Sequence, residues 1–341
     1  ITTAIAISFA IFVAILIGPG EGVGMTASTS FSSREAPSLA QGIIQMFPTN
    51  PVEAFAQGKR LQSIVFALLF GIAIALSGKA GERVASIFED LNEVIMRLVA
   101  ILMNIAPYGV FALLASLFTT VSIETFGNLI VYFLVVLFVL LGHALLTYPM
   151  LLKLFTGLNP VIFLIKMRDA AIFAFSTASS NATIPVTLET ATKKMGVKNS
   201  IASFTVPLGA TINMDGTAIM QGVATVFIAQ VFSQDLTLAD YVTVVLTATL
   251  ASIGTAGVPG VGLIMLAMVL EQVGLPVEGI ALIIGVDRLL DMTRTAVNVT
   301  GDSMVSLIVA KSEGQFDQQM FLDNKAGSKI EEIDFHHLKD K

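Results

Sequence analysis

Apolar residues dominate eight stretches of this chain, at about 1–17, 61–77, 98–118, 126–152, 169–192, 200–232, 240–272 and 276–310, with short polar connections between them. A helix crossing roughly 30 Å of hydrocarbon needs about 20 residues, so runs of this length predict membrane-spanning helices. Three stretches are interrupted near their centres. Within 169–192 lies Ser176-Thr177-Ala178-Ser179-Ser180-Asn181-Ala182-Thr183-Ile184-Pro185, too polar to face lipid, and Pro185 removes a backbone donor and helps to break helical bonding. Within 240–272 lies Gly254-Thr255-Ala256-Gly257-Val258-Pro259-Gly260, and within 200–232 lies Asn213-Met214-Asp215-Gly216-Thr217. Irregular backbone at membrane depth is tolerated only where protein or a water-filled cavity covers it. Asn, Asp and Gly favour turns, so unwinding at 213–217 leaves free carbonyl oxygens beside a carboxylate, hard donors suited to an alkali cation. A buried turn satisfied by its own side chains is the alternative.

The last stretch is apolar except for one stripe. In DRLLDMTRTAVNVTGD the residues Asp287, Asp291, Arg294, Asn298 and Asp302 follow one another at spacings of four, three, four and four. On a helix these five side chains share a face roughly 80° wide. In a soluble domain such a stripe reads as a solvated face. Here apolar residues make up 55% of the chain and charged residues 13%, and the mean hydropathy is +0.82. Ionisable groups inside a bilayer are costly and mark ion or substrate pathways.

Basic residues orient the helices, because cytoplasmic loops carry the excess of Lys and Arg. Lys79, Arg83 and Arg97 mark one cytoplasmic side, Lys153, Lys166 and Arg168 a second, Lys193, Lys194 and Lys198 a third, and Lys311 opens a cytoplasmic tail. The connections at 119–125, 233–239 and 273–279 contain neither Lys nor Arg and are expected outside, as is 18–60 by parity. The 169–192 segment has basic residues on both flanks, so it should enter from the cytoplasm and turn back, and 240–272 should dip in from outside. An ordinary Gly/Pro kink in a spanning helix is the plainer alternative for each.

The rest of the composition mostly excludes. With no cysteine there are no disulfides, thiolate metal sites or Cys nucleophiles, and three His, at 143, 336 and 337, argue against a zinc site. A net charge of −6 argues against nucleic acid as a partner. No cofactor is expected apart from co-transported ions. His143 reads as a packed or interfacial residue, and the charged tail beyond Lys311 as a mostly disordered extension. The chain opens at Ile1 inside an apolar run, which reads as a cut through a helix with further helices upstream.

Two opposed hairpins, the NMDGT interruption, SIGTAGVPG at 252–260 and DMTRTAVNVTGD at 291–302, in this order, resemble the glutamate transporter family of dicarboxylate and amino-acid:cation symporters, the sodium:dicarboxylate symporter family. The resemblance implies an all-α, multi-span membrane protein built from inverted repeats, with two re-entrant hairpins and interrupted helices. It divides the chain into a truncated helix (1–17), an external loop and partial helix (18–60), scaffold helices (61–125), a transport domain (126–311) and a cytoplasmic tail (312–341). The transport domain would hold one hairpin at about 169–195, a broken helix at 200–232, a second hairpin at about 240–272 and the polar helix at 276–311. The resemblance further implies a homotrimer in the cell membrane, taking up an acidic amino acid with sodium. The substrate pocket would comprise Ser179, Ser180, Thr217, Val258, Gly262, Asp291, Arg294, Thr295 and Asn298. One sodium would lie among Gly209, Asn213, Asn298 and Asp302, a second among Thr211, Ser252, Ile253 and Thr255, and a third among Thr2, Thr3, Asn213 and Asp215. Ala178 and Met292 stand where some members of the family carry Arg, so Asp291 lacks its usual partner and Arg288, three residues earlier, is the candidate substitute.

Chemically, Arg294 offers a planar fork suited to a side-chain carboxylate, and Asp291 a counter-charge for an ammonium group. Gly254, Gly257, Gly260 and Gly262 would let the external hairpin act as a gate. Gln221 stands where animal members of the resembling family carry a Glu implicated in proton movement, and an amide carries no exchangeable charge, so sodium coupling without obligatory proton movement is expected. Two alternatives stay open: a proton-driven dicarboxylate symporter of the same fold and, remotely, an intramembrane aspartyl hydrolase using Asp215 and Asp291. The hydrolase needs two carboxylates sharing a proton, which a neighbouring Arg294 would oppose.

Overall fold

The computed structural model describes residues 2–24, 47–57, 60–91, 94, 108, 123–253, 257, 259–323 and 326–327. The expected span at 98–118, much of the 18–60 loop, and residues 254–256 and 258 at the second hairpin's turn lie outside this set, Tyr108 apart. Among the described residues the regular structure is helical, apart from one antiparallel bridge between Val197 and Phe316.

The helix Asp215–Val231 is the axis of the molecule. All but one of its residues are buried, as expected of a helix with no polar face. Around it pack Thr2–Ile17, Ile123–Gly142, Leu238–Ile253, Val261–Gln272 and the long polar helix Ile280–Ser312. The first of these shows the sidedness of the outer layer. Ala6, Ile7, Ala10 and Ala14 are fully buried against the axis, while Phe12 and Leu16 are 64% and 73% exposed. Leu134, Phe138, Leu146, Phe155 and Ile165 are likewise exposed on other outer helices. So much outward apolar surface would aggregate in water, and it is the surface that hydrocarbon accepts. Among the described residues one helical run, Gly127–Thr156, is long and apolar enough by itself to cross a membrane.

That run contains a π turn at His143–Thr147, closed by the Tyr148 amide donating to the His143 carbonyl. Residues five apart lie about 140° apart on a regular α-helix, and the wider turn brings His143 and Tyr148 to the same buried side. Their rings meet edge to face with centroids 4.5 Å apart.

The breaks are sharper than the sequence suggests. The helix Asn199–Ile212 stops at Asn213 (φ −105°, ψ 87°), and after Met214 (φ −115°, ψ 48°) the axial helix begins. In the first helix pair the break lies at Ala178 and Ser179, not at Pro185. Pro160–Thr177 ends on Ala178 in the left-handed region (φ +50°), and Ser179 caps the next helix by accepting from the Ala182 amide at 3.2 Å. Pro185 sits inside that helix, Ser180–Glu189. The pair begins at Pro160, capped by Asn159, so Lys166 and Arg168 are helical and not part of a loop.

The tail is also more ordered than its composition implies, as far as residue 323. Lys198 and Asp317 amides bond the Gln315 and Gly196 carbonyls, and a short helix, Gln318–Leu322, follows. Lys166 holds this strap: its ammonium donates to the carbonyls of Lys194 (2.5 Å), Met320 (2.8 Å) and Asp323 (2.9 Å) and lies over the buried Phe321 ring. Three donors meet three carbonyls at the ends of two helical segments, where a cation is favoured. Lys166→Met should therefore lower stability by roughly 2 kcal/mol and speed amide exchange at 318–323 ahead of the axial helix. Exchange unchanged at those amides would show that the ammonium does not hold the strap.

Candidate functional site

The polar stripe of the long helix folds inward as a set. Asp287, Asp291, Arg294, Thr295, Asn298 and Asp302 are all buried, and Arg294, 1% exposed, is among the largest fully buried side chains. A buried charge needs paired, hydrogen-bonded partners. Arg294 finds them one and two turns back along its own helix. Its Nη1 and Nη2 donate to the two oxygens of Asp287 at 2.6 and 3.3 Å, and Nη2 donates again to Asp291 Oδ1 at 2.8 Å. Its Nε has no partner among the described residues. The fork is thus shared by two carboxylates. Arg288 approaches Asp291 only to 4.0 Å from a half-exposed position, so Arg294 is the principal partner of Asp291, correcting the expectation drawn from spacing.

The two helix-pair turns close over this end of the stripe. The Ser179 hydroxyl and the Asn181 amide both donate to the Gly257 carbonyl, at 2.8 and 3.2 Å, and the Gly260 amide donates to Asp291 Oδ2 at 3.0 Å. Between them lies a cavity of about 10 Å³ bordered by Ser180, Thr217, Gly262, Asp291, Thr295 and Asn298. That volume holds about one water and no amino acid, so any larger ligand requires the turns to part. A Cβ on residue 262 would stand 3.2 Å from Arg294 Nη2, so glycine there lets the second helix pair lie against the guanidinium.

The break in the neighbouring helix is knitted to the lower stripe. Asn298 Oδ1 accepts from the Gly216 amide at 2.7 Å and so satisfies an otherwise orphan donor at the start of the axial helix. Asn213 Nδ2 donates to Asp302 Oδ1 at 2.9 Å and to the Asn298 carbonyl at 3.4 Å. Gly209 belongs to the same cluster: a Cβ there would lie 2.7 Å from Asp302 Oδ1. Asp302, Asn213, Thr2, Thr3 and Ser252 also border a cavity of about 530 Å³ whose other walls are largely apolar.

Asp215 opens the axial helix and receives four side-chain donors or ring nitrogens. Thr3 and Thr2 donate to Oδ1 at 2.6 and 3.3 Å, Tyr148 donates to Oδ2 at 3.0 Å, and His143 Nε2 lies 3.2 Å from the same oxygen. His143 is therefore no isolated packing residue. Neither it nor Tyr148 stands among the residues assigned from sequence, and Asp287 is read there as part of the stripe but given no ligand. The signals were a lone His in an apolar span and an Asp two turns before a buried Arg. Glycine at 301 makes the approach possible, since a Cβ there would stand 2.5 Å from the Tyr148 hydroxyl and 2.7 Å from Asn213 Nδ2.

The structure thus brings together Gly209, Asn213, Asn298 and Asp302, and separately Thr2, Thr3 and Asp215, while Asn213 turns toward Asp302. The other expected cation group is described only in part. Thr211 bonds the Pro207 carbonyl and Ser252 the Thr249 carbonyl, each within its own helix, Ile253 ends its helix, and Thr255 lies outside the described residues, as does Val258 of the expected pocket. Among the described residues no group of three or more His, Cys, Asp or Glu side chains could hold a metal ion. The groups around Asp215 and Asp302 are instead hydroxyls, an amide, carbonyls and the His143 ring, in surroundings where four buried carboxylates, Asp215, Asp287, Asp291 and Asp302, face one buried guanidinium. Oxygen-rich surroundings of this kind are the chemistry of hard cations.

Comparison with known proteins gives the family of the chain. The sequence model of the sodium:dicarboxylate symporter family matches residues 1–312. Over 334 residues the chain is 35% identical to the proton/glutamate-aspartate symporter of Escherichia coli (strain K12), covering 94% of this chain and 76% of that protein. It is 33% identical over 327 residues to the proton/sodium-glutamate symport protein of Bacillus subtilis (strain 168), covering 93% and 75%. Excitatory amino acid transporter 1 of Mus musculus is 38% identical over 264 residues, 76% of this chain and 48% of that protein. This chain belongs to the sodium:dicarboxylate symporter family, and is a transporter and a membrane protein, not an enzyme.

Proposed function

We propose that this protein is a secondary active transporter that couples sodium influx to uptake of aspartate or glutamate by alternating access. The observation that carries the reading is the buried Arg294 beside Asp291, under the meeting turns of two helix pairs. The guanidinium binds the substrate's side-chain carboxylate, Asp291 takes its ammonium group, and Ser180, Thr217, Thr295 and Asn298 border the space between. Sodium ions occupy the oxygen clusters around Asp302 and Asp215, offset the surplus negative charge and couple uptake to the ion gradient. Each charge carried through the membrane field is worth about 2.3 kcal/mol per 100 mV. The helix pairs enter the membrane from opposite sides as re-entrant hairpins, a reading supported by the basic residues flanking the first and their absence around the second. The second hairpin, released from Asp291 when its Gly260 contact breaks, is the gate. By resemblance, residues 126–311 form the moving domain of a homotrimer.

A second reading, proton-driven uptake, is favoured by relatives whose names include protons. Reconstituted full-length protein separates the two when sodium and proton gradients are imposed singly and uptake of labelled aspartate, glutamate and succinate is followed. Uptake driven by sodium alone, without acidification of the vesicle interior, supports the first reading, and uptake driven by a proton gradient in sodium-free medium rejects it.

Two substitutions test the assigned roles. Arg294→Ala should weaken aspartate binding by roughly 100-fold or more while Asp291 still accepts the ammonium of a neutral amino acid such as serine, measured by competition. Unchanged aspartate affinity would remove Arg294 from the pocket. Asp302→Asn should raise the sodium concentration for half-maximal uptake by roughly tenfold, since a full charge is lost from a buried site, with little change in melting temperature. A sodium dependence equal to the parent's would show that Asp302 holds no ion.

A further inference from the structure

Two carboxylates compete for one guanidinium, and they do so unequally. Asp287 takes Arg294 through both oxygens, whereas Asp291 has only Oδ1 on it and turns Oδ2 to the Gly260 amide. The two also differ in position. Asp291 borders the cavity between the turns, and Asp287 is not among its lining residues. Both are buried, and among the described residues the only other cation near either is the half-exposed Arg288, 4.0 Å from Asp291. Inside the cluster one buried guanidinium serves two carboxylates: its two-oxygen grip goes to Asp287, while Asp291 has one guanidinium contact, the Gly260 amide and the half-exposed Arg288.

We propose that Asp287 is the positioning residue that makes this site select substrates bearing an ammonium group. This rests on the assignment of Arg294 and Asp291 to the two ends of an acidic amino acid. By holding the guanidinium through both of its oxygens, Asp287 prevents Arg294 from turning fully onto Asp291. Asp291 is then left on the cavity wall with a single guanidinium contact, and once the turns part and the Gly260 amide leaves, its Oδ2 is free for an ammonium group, which a plain dicarboxylate cannot supply. With a neutral residue at 287 the fork is free to pair with Asp291 through both oxygens, and the penalty on a ligand without an amine falls. A planar guanidinium recognises carboxylates as a fork, so small rotations change which partner it serves.

The test is competition against labelled aspartate in proteoliposomes of full-length protein suspended in sodium-containing medium, with unlabelled aspartate and succinate as competitors. The readout is the ratio of their half-inhibitory concentrations, which a general loss of fold or affinity leaves unchanged. In the parent protein succinate is expected to be at least 100-fold weaker, in Asp287→Asn the ratio falls at least tenfold, and Asp287→Glu, which keeps the carboxylate, restores the parent ratio. An unchanged ratio in Asp287→Asn overturns the proposal. A ratio in Asp287→Glu that falls as far as tenfold overturns it too, even where Asp287→Asn gives no folded protein. Parent protein that binds succinate as tightly as aspartate, with Asp287 in place, has the same consequence. Failure of the underlying assignment looks different: the parent protein then shows no sodium-dependent aspartate binding at all.

Discussion

A guanidinium buried to 1% exposure inside an apolar helical bundle is the constraint around which this molecule is arranged. Such a charge is tolerable only with hydrogen-bonded counter-charges held in place, and truncating one partner of a buried pair costs several kcal/mol. The long helix supplies both counter-charges from its own face, at positions three and seven residues before Arg294. Asp291 also takes a hydrogen bond from the second helix pair, through the Gly260 amide. The guanidinium therefore organises the stripe and also ties the stripe to the part of the structure that must move to admit a substrate.

The other half of the site follows from the opposite excess. Among the described residues no lysine or arginine pairs with the buried Asp215 or Asp302; Thr2, Thr3, His143 and Tyr148 gather at the first, and Asn213, itself bonded to the Asn298 carbonyl, donates to the second. The interruption at Asn213 and Met214 makes these contacts possible, because an unbroken helix would turn its polar groups into its own bonding. A site short of positive charge binds an anionic substrate well only when cations come with it. Coupling in the proposed transporter is in that sense a property of charge balance before it is a property of motion.

Much of this is legible in the sequence. The stripe from Asp287 to Asp302 reads directly from helical spacing, and Asn-Met-Asp-Gly-Thr reads as a break because turn-forming residues cluster in an apolar run. Other features resist for physical reasons. Pro185 looks like the breaker of the first helix pair, yet its helix absorbs it and Ala178 takes the left-handed conformation instead. Lys166 reads as the edge of a loop because it is charged, whereas its ammonium is satisfied by carbonyls 28, 154 and 157 residues away, which no local pattern reveals. His143 meets Asp215 across 72 residues, by way of a π turn that shifts the helical register. Asp287 lies on the right face, but two helical turns from Arg294 is beyond the usual one-turn pairing, and only the reach of the arginine side chain makes them partners.

The most direct test of the central claim is a structure of the full-length protein determined with sodium and aspartate bound. The account predicts the ligand's side-chain carboxylate within hydrogen-bonding distance of Arg294, its ammonium on Asp291 in place of the Gly260 amide, and Asp287 still bonded to the guanidinium through both oxygens. A ligand bound away from Arg294, or one bound there with Asp287 displaced from the guanidinium, would contradict it.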